Sequence, residues 1–477
     1  MPDRTPDYQS WGRLKPAVRR AVGSERFVWP RGERSEEEGA YLPFGNGRSY
    51  GDSCHNDEGT LIVSGRDRPS AIHAFDPETG LLTADAGVLL SEITRHVASA
   101  GWFLPVTPGT QFVTLGGAIA NDVHGKNHHR RGTFGRWVES LRLDRSDRGS
   151  LACSRTENAD LFSATIAGMG LTGLIRQATI RLLKVPSLSI LQTTTRFDRL
   201  SDYFDLAEAA DARHEYAVAW IDSLSSGVSL GRGHLIAGDH ARNGDLSGVA
   251  AGPLASVPLT PPVSPLAGPF LKAFNEAYYR KARAGTREAT VRFDSFFYPL
   301  DRIGDWNRLY GPRGLHQHQS VIPAGDGEAV VRELILCAKA HKHGSFLTVL
   351  KRFGDLRSPG LLSFPRPGYT LTLDFPHRGE KTLRLLRELD RITVEAGGAV
   401  NPYKDARMSP ETFAAGFPQW RRLDALRDPA ISSDFWRRTA GRFLARGAVD
   451  VPTNIENSSG SVASLFTLGE SSARQPA

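Results

Sequence analysis

The chain has 477 residues, 40% of them apolar and 23% charged, which is the composition of a soluble globular protein and excludes disorder, collagen and coiled coil. Its length allows two or three domains. The net charge of +7 suits phosphates, anionic headgroups or nucleic acid without choosing among them, and three scattered cysteines, Cys54, Cys153 and Cys337, give neither a disulfide framework nor a zinc site.

The first residues are polar and interrupted by prolines, and no run of about 18 apolar residues follows, so a cytoplasmic protein is expected, one that at most docks on the inner face of a membrane. Short strands are expected within residues 60–90, at TLIVS, AIHAF and GLLTADAG. Leu89, Leu90, Ile93 and Val97 then share one helical face, and Gly101 ends that helix. A second helix is expected near residues 159–167. From about Ser187 the runs YAVAWIDSLSS and VSLGRGHLIA read as strands, and residues 252–269 are too rich in proline for either regular element. A helix at 328–342, strands at SFLTVLKRF and YTLTLDF, and a helix at 381–396 complete a second α+β block. Residues 452–477 are Ser-rich and read as a disordered tail.

Three glycine-dense strings carry the chemistry. F-G-N-G-R-S-Y-G-D, residues 44–52, allows successive backbone N–H groups to face one anion. V-T-P-G-T-Q-F-V-T-L-G-G-A-I-A-N-D-V-H-G-K-N-H-H, residues 106–129, has a tight turn followed by side chains small enough for a flat ligand to lie against backbone. G-M-G-L-T-G, residues 168–173, matches G-x-G-x-x-G, but a helical segment precedes it and a strand-like one follows, the reverse of the dinucleotide-binding order. His124, His128 and His129 lack acidic co-ligands other than Asp122 and stand among Lys126, Arg130 and Arg131, so no metal site is expected. Sparse aromatic interleaving argues against nucleic acid.

Taken in this order, the strings resemble the FAD-binding domain of the vanillyl-alcohol oxidase (PCMH-type) flavoprotein family. The likeness runs over about residues 11–441 and includes W-G-R, R-S-Y-G-D, H-G-K-N-H-H, S-F-L-T-V-L-K-R-F-G, D-F-P and K-D-A-R. It is narrowest with the branch that oxidises a secondary hydroxyl of a polyprenyl-phosphoryl ribose. The resemblance implies an α+β, two-domain fold: an FAD-binding part at 1–185, an inserted substrate domain at 186–398 and a C-terminal return at 399–451. It also implies a keto-sugar product that a separate short-chain reductase reduces, an epimerisation serving cell-wall polysaccharide synthesis. An oxygen-using alditol or aldonolactone oxidase is the alternative.

By the same resemblance, Gly45, Asn46, Arg48, Ser49 and Tyr50 hold the diphosphate and ribityl chain, together with Pro108, Gly109 and Thr110. Gly116, Gly117, Ala118, Asn121, His124 and Gly125 line the flavin, and Gly168, Gly173 and Ile175 complete the pocket. Many relatives attach FAD through a histidine in the first turn; Arg48 stands there, which implies non-covalent FAD. Gln317, Gln319, Lys351, Thr370, Thr372 and Lys404 line the substrate side. Lys404 matches the family's essential lysine, and Tyr50 and His124 flank the flavin as catalytic partners. Two lysines converging on one pocket depress each other's pKa, so that one serves as base while the other holds a phosphate. Thr372 replaces a cysteine that covalent inhibitors attack in relatives, and Asn401 replaces a tyrosine.

Overall fold

The computed structural model describes residues 8–17, 19–30, 39–65, 69–266, 268–282 and 284–445. The expected tail and the last six residues of the expected C-terminal return lie outside them. Three sheets organise the chain. Parallel strands Arg20–Gly23, Thr60–Val63 and Tyr41–Phe44 form a small sheet, and Ile72–Asp76, Leu81–Asp85, Leu174–Arg181, Val138–Arg145 and Gly149–Ser154 form an antiparallel one. Between residues 190 and 400 lies an eight-stranded antiparallel sheet. Its order runs Thr286–Val291, Ile190–Phe197, Gly233–His240, Tyr216–Ile221, Thr348–Phe353, Gly368–Pro376, Leu315–Ile322 and Ala399–Val400.

The helix at Leu90–Val97 buries Leu90, Ile93 and Val97 and ends at Gly101, whose φ of 77° is a left-handed terminus suited to glycine. Helix Ala159–Thr165 and strand Leu174–Arg181 flank the third glycine string, in the order opposite to a dinucleotide fingerprint. Two long helices, Leu200–Arg213 and Gly268–Lys281, were not foreseen. The first buries only Leu200, Tyr203, Ala207 and Ala210, a stripe too rich in alanine to announce itself. The second begins inside the proline-rich stretch, where Ala255–Ser256 also pairs with Ile303–Gly304.

The alternation of side chains along strands places Gln317 and Gln319, Lys351, and Thr370, Thr372 and Asp374 on one face of the large sheet. The opposite face carries Leu350, Leu371, Leu373 and Phe375, which pack with Leu334, Leu385 and Leu389 of helices Gly327–Ala340 and Glu380–Glu395. One apolar face anchored on helices leaves the other free to be polar. Beyond the edge strand the chain turns through Asn401 and Lys404 into helices Pro410–Gly416, Trp420–Leu426 and Asp434–Arg438. Their Phe413, Trp420, Phe435 and Trp436 join Leu42, Phe44, Leu61 and Val63 in one core.

Candidate active site

A cavity of about 620 Å³, within the range of about 300–1,000 Å³ usual for cofactor and ligand sites, runs between the glycine strings and the polar face of the large sheet. Asn46 Nδ2 donates to Phe112 O at 2.7 Å and ties the first string to the second. Arg48 lays its guanidinium 4.6 Å from the Trp11 ring centre. Gly45 approaches Thr114 so closely that a Cβ would stand 2.5 Å from Oγ1, whereas a Cβ on Gly109 would meet nothing within 4 Å. A cleft walled by Gly45, Gly47, Gly109, Gly116 and Gly117, with the Arg48 guanidinium on the same wall, lets a long, flat, anionic molecule lie against backbone, which fits FAD.

The helix Leu115–Ala120 starts at Thr114, whose hydroxyl accepts from Gly117 N at 3.1 Å. At its end Asp122 takes a left-handed φ of 42°, costly for a residue with a Cβ. Its buried carboxylate accepts from Gly135 N at 2.8 Å and from the hydroxyls of Ser358 and Ser363 at 2.5 and 2.6 Å. That anchored turn directs His124 into the cavity. The other two histidines diverge: His129 pairs with Asp211 at 3.3 Å, and His128 is buried against Phe353.

All but three of the expected site residues line the cavity. Ala118 is fully buried, since its position on the short helix points its methyl into the core. Gly168 faces the end of helix Ala159–Thr165, where a Cβ would meet Ala164 O at 2.1 Å, and Met169 and Gly170 take its place on the wall. Thr370 stands behind the wall, accepting from Gln319 Nε2 at 3.0 Å. Asp374 was not among the expected site residues, and Asn401 was expected only as a replacement for the family's tyrosine. Asp374, inside the D-F-P string, accepts from Gln317 Nε2 at 2.6 Å. Asn401 donates to Gln319 Oε1 at 2.9 Å.

Lys404 Nζ lies 5.4 Å from the Tyr50 ring centre. Burial pulls its pKa down, against the pull of Asp374 the other way, and burial lifts the Asp374 carboxyl, against Lys404. Burial, together with the charges of Lys404 and Lys126, brings Lys351 down to about 7. Tyr50, half-buried on the cavity wall and within reach of the Gln317 side chain, has its phenol held well above 10 chiefly by desolvation. The pocket thus holds nitrogen bases close to neutrality opposite an apolar-walled cleft.

A family profile described as an FAD binding domain matches residues 34–151, the first two glycine strings included. Decaprenylphosphoryl-β-D-ribose oxidase of Mycolicibacterium smegmatis is 36% identical over 92% of this chain and 98% of its own length. The chain belongs to the decaprenylphosphoryl-β-D-ribose oxidase family. It is an FAD-dependent oxidoreductase with a PCMH-type FAD-binding domain and an α+β fold. An uncharacterised Streptomyces coelicolor protein is 34% identical over 74% of the chain and 99% of its own length. Mouse L-gulonolactone oxidase is 30% identical over 31% of the chain and 33% of its own length. The ribose oxidase matches nearly the whole of the chain, whereas the match to the lactone oxidase is confined to 31% of it.

Proposed function

We propose that the protein oxidises a secondary hydroxyl of a ribose-like, polyprenyl-phosphoryl sugar to a ketone, as the first half of an epimerisation completed by a separate short-chain reductase acting on the keto product. The observation that carries this reading is Lys404, half-buried on the cavity wall beside Tyr50 and close enough to Asp374 to feel its charge. Bound FAD supplies the hydride acceptor. The residues around it manage the proton: as the carbinol C–H bond breaks, the hydroxyl proton passes to the uncharged Lys404 amine, with Asp374 stabilising the resulting ammonium. Gln317, held by Asp374, and Gln319 orient the sugar. The cofactor would be held by residues of the 1–185 and 399–451 parts and the sugar by residues 186–398.

Among the described residues no helix is long and apolar enough to cross a membrane. Leu254, Leu259, Val263 and Phe270, each more than half exposed, follow Pro253, which lines the cavity. These apolar side chains support a peripheral membrane contact through which a prenyl chain reaches the cleft.

Because the lysine must be unprotonated to act, kcat/KM should rise with pH on a limb near 8, the value to which burial brings Lys404, instead of near the ordinary 10.5. A pH–rate profile with phosphoryl sugar checks this. A limb at 10 or above would place the lysine in water and contradict the buried geometry.

Arg48 has no nucleophilic nitrogen at neutral pH, so FAD is expected to be non-covalent. Acid precipitation of the purified protein should release the yellow flavin into the supernatant; colour retained in the pellet would show a covalent link.

A further inference from the structure

The side chains around His124 form a chain of hydrogen bonds whose direction is set at one end by the backbone. Tyr403 N–H donates to Asn401 Oδ1 at 3.0 Å. A backbone N–H can only donate, so the Asn401 amide nitrogen must turn the other way, where it donates to Gln319 Oε1 at 2.9 Å. The Gln319 nitrogen then donates to Thr370 Oγ1 at 3.0 Å and to His124 Nε2 at 3.1 Å. Gln319, Thr370 and Asn401 are all buried, which leaves little room for another arrangement. A ring nitrogen that accepts carries no proton, so His124 holds its proton on Nδ1.

Nδ1 stands 3.1 Å from Lys351 Nζ. An ammonium has no lone pair and cannot accept that N–H, whereas an uncharged amine can; the Gly125 backbone carbonyl is the other acceptor within reach of the ring. Lys351 donates in turn to Gly125 O at 3.3 Å, which leaves one N–H for a ligand.

We propose that Asn401 is a positioning residue that fixes the direction of this relay, holds His124 as the Nδ1–H tautomer and keeps Lys351 an uncharged donor, which then meets a sugar hydroxyl and not the phosphoryl charge. The last clause rests on the phosphoryl-sugar reading; the tautomer and the charge do not. The surroundings agree. Lys404 and Lys126 press on Lys351 with positive charge, and burial, Lys351, Lys404 and His128 all hold His124 well below its ordinary pKa. A tyrosine at position 401, expected from the family resemblance, would end the relay in a hydroxyl that both donates and accepts, and the direction would be free.

Long-range proton–nitrogen spectra of the ¹⁵N-histidine-labelled, FAD-loaded protein at pH 8 test the first part, with His124 assigned as the signals missing from His124→Gln. The wild type should show a protonated Nδ1 and a bare Nε2. In Asn401→Asp, which has no donor for Gln319, the amide turns over and the proton should move to Nε2. A wild-type proton on Nε2, or the same tautomer in both proteins, overturns the relay. For Lys351, glutamine supplies an acceptor for His124 and neutral donors. Lys351→Gln should hold KM for the phosphoryl sugar within about threefold, while Lys351→Met raises it about tenfold or more. Equal damage from both, with recovery in Lys351→Arg, would show that charge is required. Absence of turnover by the wild type on any phosphoryl sugar would overturn the substrate reading, and with it the hydroxyl assignment, while leaving the tautomer result standing.

Discussion

Lys404→Ala is expected to keep FAD bound and to lower kcat by about 10²-fold or more, the usual share of a positioned general base. The amine lies on the cavity wall facing Tyr50, and the side chain takes no part in the core made by the C-terminal helices. Removing it therefore takes away the proton acceptor without disturbing the cradle formed by the glycine strings. It also leaves the Asp374 carboxyl without its cation in a buried setting, so that group should hold its proton to still higher pH. Single-turnover flavin reduction by phosphoryl sugar, measured beside flavin content, separates the two effects. A variant with full flavin and wild-type reduction rate would show that the base is elsewhere in the pocket.

Gly51→Ala should destabilise the protein by about 3 kcal/mol or more, at or above the usual range for overpacking. A Cβ at Gly51 would stand 1.6 Å from Asp405 O and 2.2 Å from Asp405 C, and backbone cannot step aside as a flexible side chain can. The contact is where the turn bearing Tyr50 touches the loop bearing Lys404. Asp52 N donates to Asp405 O at 3.3 Å, and Arg438 bridges Asp52 at 2.9 Å and Asp405 at 3.0 Å. Forcing these segments apart widens the cavity as well as loosening the fold, so flavin content should drop with thermal stability. Gly109→Ala, which would meet nothing within 4 Å, should leave the melting temperature of the flavin-free protein nearly unchanged. Equal melting temperatures for wild type and Gly51→Ala would mean that the close approach is relieved by movement the packing does not suggest.

The cofactor half of the site was legible because its parts are continuous in sequence. Gly45, Asn46 and Arg48 sit in one turn, and Gly116, Gly117 and His124 in one helix and the turn after it, so small side chains and turn residues mark the wall directly. The errors there are errors of facing: Ala118 shares a four-residue stretch with wall residues yet points into the core. The sheet half was legible only through the resemblance, because period-two alternation tells which residues share a face but not which face meets a ligand. Asp374 could not be singled out by spacing, since its meaning lies in Gln317, 57 positions away. Asn401 likewise depends on Gln319, 82 positions away, and on a backbone N–H whose direction no sequence pattern displays. The helix at Leu200–Arg213 was lost to a stripe half made of alanine, and the short C-terminal helices, five to seven residues long, carry too little periodicity to be seen.

The most direct measurement is anaerobic mixing of the flavin-loaded protein with polyprenyl-phosphoryl ribose, with free ribitol and with an aldonolactone, following the flavin absorption band. Bleaching by the phosphoryl lipid, at least about a hundredfold faster than by either free compound, is the predicted result. Preferential bleaching by ribitol or the lactone would contradict it and make the protein a small-polyol oxidase.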